Sequence, residues 1–151
     1  MTRVKEIMDQ SISLCRTAAS LNDAAQTMWE HNCGLLPVVS EQGSVVGVVT
    51  DRDICMAAYT QGRSLADLPV EIAMARRVLS CRGDEDIDVA EKRMLDAQVN
   101  RLPVLDEEEK PIGLISLNAI VRTTIGPQSV EDRLRLPTRH ELLHPSPERT
   151  H

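Results

Sequence analysis

A short stretch at residues 47–54, GVVTDRDI, sets a hydroxyl beside two carboxylates. A related stretch at 113–120, GLISLNAI, keeps a hydroxyl at Ser116 but has Ala119 where the first stretch has Asp53. A Thr at a helix start with an acid three residues later forms a capping box, and an acid there also suits the helix dipole. Since Ser116 keeps the cap without an acid, the shared architecture does not require the carboxylate. Asp53 is therefore the first candidate for a functional residue, with capping as the alternative.

The other reactive residues do not form a catalytic pattern. The sequence has no Ser/His/Asp order, no Cys/His pair on neighbouring elements and no G-x-x-x-x-G-K loop for phosphate. The cysteines have neither C-x-x-C nor zinc-ligand spacing, which favours buried reduced thiols over a metal site or a disulfide framework. They are Cys15, Cys33, Cys55 and Cys81. We expect neither an enzyme nor a metalloprotein.

Composition argues against further classes of protein. The 151 residues carry a formal net charge of -6, with a pI near 5.2, so a nucleic-acid backbone would be repelled on average. Trp29 and Tyr59 are the only aromatic residues, too few for a base-stacking platform. No apolar run reaches the roughly 18 residues of a membrane span, and the N-terminus is too polar for a signal-peptide core. We expect a cytoplasmic protein without nucleic-acid or membrane partners.

The chain is an internal repeat with a constant offset of 66 residues. Identities fall where geometry is demanding: a proline beside a strand, a glycine inside one and apolar residues in fixed phase. Matched pairs include Val4 with Val70, Met8 with Met74, Cys15 with Cys81, Leu36-Pro37-Val38 with Leu102-Pro103-Val104, and Gly47 with Gly113. Each copy alone is too small to bury much surface, so the two must share a core.

Each copy follows one predicted order, strand-helix-strand-strand-helix. Apolar residues recur at helical spacing after the capping candidates Ser20 and Asp86. The runs LLPVV and SVVGVVT, like RLPVL and PIGLIS, are joined by turn residues, which predicts a hairpin in each copy. Second helices are predicted at about 51–61 and 117–124, and short first strands at about 11–15 and 78–81. The predicted divisions are a first repeat at 1–62, a second at 63–125 and a largely mobile tail at 126–151.

These paired motifs, a helix, LPV and a hairpin ending in GVVTDRDI, resemble a tandem pair of cystathionine beta-synthase (CBS) domains, called a Bateman module. The resemblance covers residues 4–124. It implies an α/β (α+β) fold of two β-α-β-β-α units, packed sheet to sheet about a pseudo-twofold axis. It also implies two clefts for an adenosine-containing ligand such as AMP, ADP, ATP, NAD or S-adenosylmethionine, and a homodimer. Proteins of this kind are usually sensors rather than catalysts.

The resemblance assigns roles to residues of the first cleft. Asp53 would accept hydrogen bonds from both ribose hydroxyls, while Thr50 and the free backbone N–H groups that open the following helix would face phosphate. Arg52 either adds a cation there or points to solvent. The purine would lie between Val48 and two groups of residues from the other repeat. These are Leu68, Val70 and Ala73, and then Val99, Asn100 and Arg101.

The equivalent second cleft lacks a ribose acid, and Asn118 would be a lesser polar contact. We expect it to be weak, empty, or occupied in a different pose. Its residues would be Val4, Ile7, Cys33, Gly34, Leu114, Ser116 and Asn118.

The leading functional hypothesis is a regulatory module that senses an adenosine nucleotide and reports it through a homodimer to an unidentified protein effector. The alternative is a ligand-independent dimerisation or scaffold module. Trp29 lies on the apolar face of the first predicted helix, so we expect it in the core or in a dimer interface.

Overall fold

A computed structural model describes residues 1–125, so the predicted tail at 126–151 lies outside the described residues. The first part of the chain contains α1 (Val4–Ile7), β1 (Cys15–Arg16), α2 (Leu21–Glu30), β2 (Leu35–Val39), β3 (Val45–Thr50) and α3 (Asp51–Gln61). Two short 3-10 turns follow, at Leu65–Asp67 and Val70–Ile72. The remainder contains β4 (Cys81–Arg82), α4 (Ile87–Ala97), β5 (Arg101–Leu105), β6 (Pro111–Ser116) and α5 (Leu117–Ile125).

The predicted order of elements and the α/β (α+β) fold class are confirmed. Each repeat has a three-stranded sheet, in which the first strand runs parallel to the second and the second runs antiparallel to the third. The first strands are shorter and start later than predicted, at Cys15 and Cys81. Two residues of each form the strand pairing with the neighbouring strand, Cys15 and Arg16 in the first sheet. The segment before them is left available for other contacts.

Local sequence explains where the helices begin. Ser20 and Asp23 form a reciprocal capping box at α2, in which each side chain accepts from the other residue's backbone N–H. Asp86 caps α4 by accepting from the backbone N–H of Asp88. Helix α3 ends where Gly62 takes a left-handed conformation, with φ of 59°.

The segment before each repeat packs against the other repeat. Val4 is fully buried in the core of the second repeat, and its N–H donates to Glu85 O at 2.9 Å. Leu68 and Val70 are buried in the core of the first repeat, where the N–H of Val70 donates to Ala19 O at 2.9 Å. We call residues 2–9 and 68–75 the crossing segments, because each packs into the core of the other repeat. Residues 1–125 therefore form two cores, one in each repeat, and the expectation of a single shared core was wrong. The predicted boundary between the two repeats, after residue 62, stays a prediction.

Gly47 and Gly113 lie where the crossing segments pass over the third strand of each sheet. A Cβ at Gly47 would come within 2.7 Å of the Met74 sulfur, and one at Gly113 within 2.6 Å of the Met8 sulfur. Both positions also lie close to a backbone oxygen of the crossing segment, so the neighbour has little room to move. The same glycine–methionine contact therefore forms twice, between Gly47 and Met74 and between Gly113 and Met8.

Candidate ligand-binding clefts

Asp53 holds the start of α3 with one carboxylate oxygen. The N–H of Thr50 donates to Asp53 Oδ2 at 2.9 Å, and the N–H of Asp53 donates to Thr50 Oγ1 at 3.2 Å. The other oxygen, Oδ1, accepts no hydrogen bond from residues 1–125, and the side chain is half-buried. Capping and ligand binding are therefore compatible roles for this carboxylate.

The second repeat keeps the cap without the acid. The N–H of Ala119 donates to Ser116 Oγ at 3.1 Å, as Asp53 donates to Thr50 in the first repeat. The expected retention of the cap at Ser116 is confirmed. Only the first repeat has a carboxylate at the opening of this helix, since α5 begins with Leu117 and has no acid in its first turn.

The N–H groups that open α3 are not free, contrary to the sequence prediction. The N–H of Asp51 donates to Gly34 O at 3.0 Å, and that of Arg52 donates to Asp51 Oδ1 at 2.8 Å. The third, from Asp53, is taken by Thr50. Asp51 also sets negative charge directly at this helix start. The N–H groups at this helix start are therefore not available to a phosphate, whereas the side chain of Arg52 is exposed.

Three of the predicted lining residues lie in the cores. Leu68, Val70 and Val4 are 1%, 0% and 0% exposed, so their side chains have no surface to offer a purine. Their burial follows from the crossing of the two segments, which turns these positions toward the sheets. Their side chains therefore do not belong to the proposed site.

The other first-cleft residues keep accessible surface. Val48 pairs with Ala75 of the crossing segment through two backbone hydrogen bonds, of 3.0 and 2.8 Å, and is half-buried, as is Ala73. Exposed residues at the start of β5 are Val99, Asn100 and Arg101.

A cavity of about 310 Å³ opens at the second cleft. It contains three of the residues predicted there, Cys33, Leu114 and Ser116, together with Arg101 from the first-cleft prediction. Its remaining lining residues are Asp9, Ser11, Ile12, Ser13, His31, Asn32, Leu35 and Pro37.

An adjoining cavity of about 270 Å³ shares Ser116 with the first and extends along α5. Ile7 and Asn118, both predicted for the second cleft, line it, and so does Arg122. Gly34 is half-buried and lies against the carboxylate of Asp51 instead. The second cleft, which has no carboxylate at the position of Asp53, thus contains two adjoining cavities of about 310 and 270 Å³.

Asp9 is an acidic residue of this cleft that the sequence prediction missed. Its backbone pairs with Leu114, with N–H to O distances of 2.8 and 2.9 Å in the two directions. The match of Met8 with Met74 was the available signal, because it marks the crossing segment. The pairing itself joins residues more than a hundred positions apart, and no local pattern specifies it.

The thiols of Cys15 and Cys81 are buried as expected, but the expectation of four buried thiols was wrong, because Cys55 is exposed and Cys33 is only half-buried. Burial raises the pKa of both thiols, for Cys81 to about 12, and the nearby carboxylates of Asp23 and Glu85 respectively add to the shift. In the part of the chain that the structure describes, no group of three or more His, Cys, Asp or Glu side chains could hold a metal ion.

Trp29 does not lie in the core, so that part of its prediction was wrong. Its side chain is 87% exposed, and Tyr59 is 83% exposed. Trp29 borders a third cavity of about 270 Å³ between α2 and α3, which Met28 and Ile54 also line. The helical face of the first repeat therefore presents apolar surface to its surroundings.

Comparison with known proteins identifies the fold. A family model for the CBS domain matches residues 4–59 and 67–126. The chain belongs to the CBS domain family. The CBS domain-containing protein YhcV of Bacillus subtilis is 30% identical over 134 residues, which cover 89% of this chain and 94% of YhcV.

Other relatives are longer. A homoserine O-acetyltransferase of Methanococcoides burtonii is 37% identical over 121 residues, which are 80% of this CBS chain but only 24% of that protein. The chain thus spans about a quarter of the length of several curated relatives that it matches.

Solved structures share the arrangement of both repeats. The CBS domain pair of MJ0100, in complex with 5'-methylthioadenosine and S-adenosylmethionine, has a TM-score of 0.73 and 27% identity, covering 82% of this chain and 96% of that one. CBSX2 in complex with AMP has a TM-score of 0.72 and 25% identity, over 82% and 96% of the two chains. Within residues 1–125, none of the helices has the length and apolar character needed to cross a membrane.

Proposed function

We propose that this CBS pair is a regulatory module whose first cleft binds an adenosine-containing ligand through Asp53. The observation that carries the proposal is the unused Oδ1 of Asp53, at a position where the second repeat caps the same helix with Ala119 in place of the acid. A carboxylate that caps the helix with one oxygen can accept hydrogen bonds from ribose hydroxyls with the other. The complexes of MJ0100 with methylthioadenosine and S-adenosylmethionine, and of CBSX2 with AMP, support this ligand class.

The rest of the first cleft suits the two ends of such a ligand. Val48, Ala73 and Val99 offer aliphatic surface for a purine face. Arg52 is exposed and offers a cation for a phosphate, which the fully partnered N–H groups of α3 do not. Arg101 lines the cavity of the second cleft and is not assigned to this site.

Calorimetric titration with AMP, ATP, NAD and S-adenosylmethionine tests the proposal. The variant Asp53→Asn keeps an oxygen that can accept from the N–H of Thr50 but loses the negative charge. We expect it to lower affinity by roughly 10- to 150-fold, since a hydrogen bond to a charged group contributes about 1.5–3 kcal/mol. Unchanged affinity in this variant would overturn the assignment.

The chain offers a matched control for this substitution. Asp23 stands in the same reciprocal capping box at α2, and the residues that line the three cavities do not include it. Asp23→Asn should reproduce the effect of the lost charge on a helix start while leaving ligand affinity unchanged. A similar loss of affinity in both variants would mean that capping, and not ribose binding, accounts for the result.

Regulation would pass through a homodimer formed by the helical faces. Large apolar side chains stand exposed on α2, α3 and α4, and we infer that these helical faces are covered in the homodimer. They are Trp29 at 87%, Tyr59 at 83%, Leu95 at 59% and Met56 at 47% exposure. This surface also supports the alternative function, a scaffold that dimerises without ligand. Light scattering of Trp29→Asp should show monomers, and a parent dimer that binds none of the four ligands would favour the scaffold.

A further inference from the structure

Two opposite charges line the cavity of the second cleft. Asp9 and Arg101 both border the 310 Å³ space, one from the crossing segment and the other from β5. Asp9 is paired with Leu114 and Arg101 with Ser116, so they flank β6 on its two sides. Leu114 and Ser116 are two residues apart and therefore share a face of the strand, and residues paired with them point to that same face. Asp9 and Arg101 therefore lie on opposite sides of the face of β6 that carries Leu114 and Ser116.

Neither charge is neutralised by the described part of the chain. Asp9 Oδ1 accepts from the N–H of Ser11 at 2.9 Å, and its other oxygen has no partner among residues 1–125. Within the same residues Arg101 makes no ion pair and no side-chain hydrogen bond. Two strand spacings across and two residues along put their backbones roughly 12 Å apart. The 310 Å³ cavity that both residues line has room for a small ligand between them.

The equivalent positions of the first cleft have a different charge pattern. At the repeat offset, Asp9 corresponds to Ala75, and Ser11 corresponds to the exposed Arg77. The first cleft therefore combines a ribose acid with cations, whereas the second has its carboxylate on the crossing segment. The other titratable groups at the second cleft are His31, whose Nδ1 lies 3.0 Å from Thr27 O, and Arg122. Neither is an acid, so Asp9 is the anionic side chain that faces this space within residues 1–125.

We propose that the second cleft binds the zwitterionic end of an α-amino acid, with the ammonium on Asp9 and the carboxylate on Arg101. Ile12, Leu35 and Leu114 form the apolar wall against which the remainder of the ligand packs. The inference rests on the proposed function in treating both clefts as ligand sites, but it assigns them different chemistry. The zwitterion belongs either to a nucleoside that carries an amino acid or to a free amino acid.

Calorimetry with matched probes separates these sources. S-adenosylhomocysteine and 5'-methylthioadenosine are both neutral thioethers, and they differ in the amino-acid end. We expect the wild-type chain to bind S-adenosylhomocysteine at least about tenfold more tightly, since charge-assisted hydrogen bonds are made only to that end. Free methionine serves as the third probe, and its binding with similar affinity would identify a free amino acid as the source. Equal affinity for the two nucleosides, with no binding of methionine, would overturn the proposal.

Two variants connect the preference to the cleft. Asp9→Asn keeps an oxygen that can accept from Ser11, and Arg101→Gln keeps a polar side chain on β5. Each should abolish the preference for the amino-acid end and leave methylthioadenosine affinity within about twofold. Asp106→Asn is the control, because Asp106 also accepts from backbone N–H groups in a turn but does not line the cavities. A preference that survives in Asp9→Asn would refute the role of that residue.

Failure of this inference is distinguishable from failure of the proposed function. AMP titrations of wild type and Asp53→Asn are run beside the others. If Asp53 governs AMP affinity while the two nucleosides bind equally, the second-cleft inference is wrong and the first-cleft assignment stands. If Asp53→Asn changes nothing while Asp9→Asn abolishes the preference, the reverse holds.

Discussion

The two clefts of this protein share one backbone plan and differ in their charged side chains. Both helices that follow the hairpins are capped by a hydroxyl, at Thr50 and Ser116, and both third strands pair with a crossing segment. In the first cleft the acid is Asp53, on the helix; in the second it is Asp9, on the crossing segment. A duplicated fold keeps what its turns and close contacts require, and the remaining positions are free to acquire different ligand chemistry.

Substitutions in the crossing segments should give the largest change in the free energy of unfolding. The two segments differ in how deeply one pair of equivalent side chains is buried. Leu68 is 1% exposed in the first core, while its counterpart at the repeat offset is Thr2, which is half-buried. Leu68→Ala should lower the free energy of unfolding by about 2–5 kcal/mol, the usual cost of truncating a buried leucine. Thr2→Ala should cost less than about 1 kcal/mol. Urea denaturation followed by circular dichroism measures both, and equal costs would show that the two segments are anchored alike.

Gly113→Ala tests the close contact beneath the second cleft. The new methyl group would lie 2.6 Å from the Met8 sulfur and 3.0 Å from Asp9 O, so the crossing segment must shift. We expect a loss of about 1–3 kcal/mol in the free energy of unfolding, as for other overpacked sites. Gly113→Ala combined with Met8→Ala should recover part of it, since the sulfur is the nearest atom. Thermal unfolding that is unaffected by Gly113→Ala would contradict this close packing.

Ala119→Asp should make the second cleft more like the first. The new carboxylate can accept from the N–H of Ser116 and complete the capping box, for a gain of about 0.5–1 kcal/mol in stability. If Asp53 binds ribose, the same substitution should raise the number of AMP molecules bound per chain in calorimetry. A gain in stability without any change in AMP stoichiometry would limit the acid at this position to capping.

The smallest expected effect is on the alkylation rates of the cysteines, which report whether a ligand occupies the second cleft. The pKa of Cys81 is raised to about 12 from an ordinary value of 9.0, so its thiol stays neutral and unreactive toward alkylating reagents at pH 8. Cys33 lines the second cleft and Cys55 is exposed, so both should react. A ligand in the second cleft should slow the labelling of Cys33 alone, as followed by mass spectrometry of peptides. Equal protection of Cys55 would indicate a global change instead.

The same pKa shift predicts a dependence of stability on pH. Because the folded state holds the Cys81 proton more tightly than the unfolded state does, the contribution is complete below pH 9 and is lost as the pH rises toward 12. Cys81→Ala should flatten the fall in unfolding free energy in that range. A fall of the same steepness in the variant would assign the alkaline loss to other groups.

The sequence by itself determined the features that depend on neighbouring residues. The helix starts at Ser20 and Thr50 follow from caps and acids three positions apart, and helix α3 spans the predicted residues Asp51–Gln61. The repeat offset and the paired hairpins were also available, since strand periodicity and turn residues are local signals. They were enough to predict the order of elements in each repeat and to single out Asp53 by comparison with Ala119, while the packing of the two units was implied by the family resemblance.

Only the tertiary structure decided what the crossing segments do. They bury Val4, Leu68 and Val70 in the cores, and they bring Asp9 beside Leu114 in the second cleft. The partners of the N–H groups of α3 likewise include Gly34 O, from a residue that is distant in sequence. Such contacts depend on how two whole repeats pack together, and that energy is shared among many residues, so no short stretch of sequence can specify it.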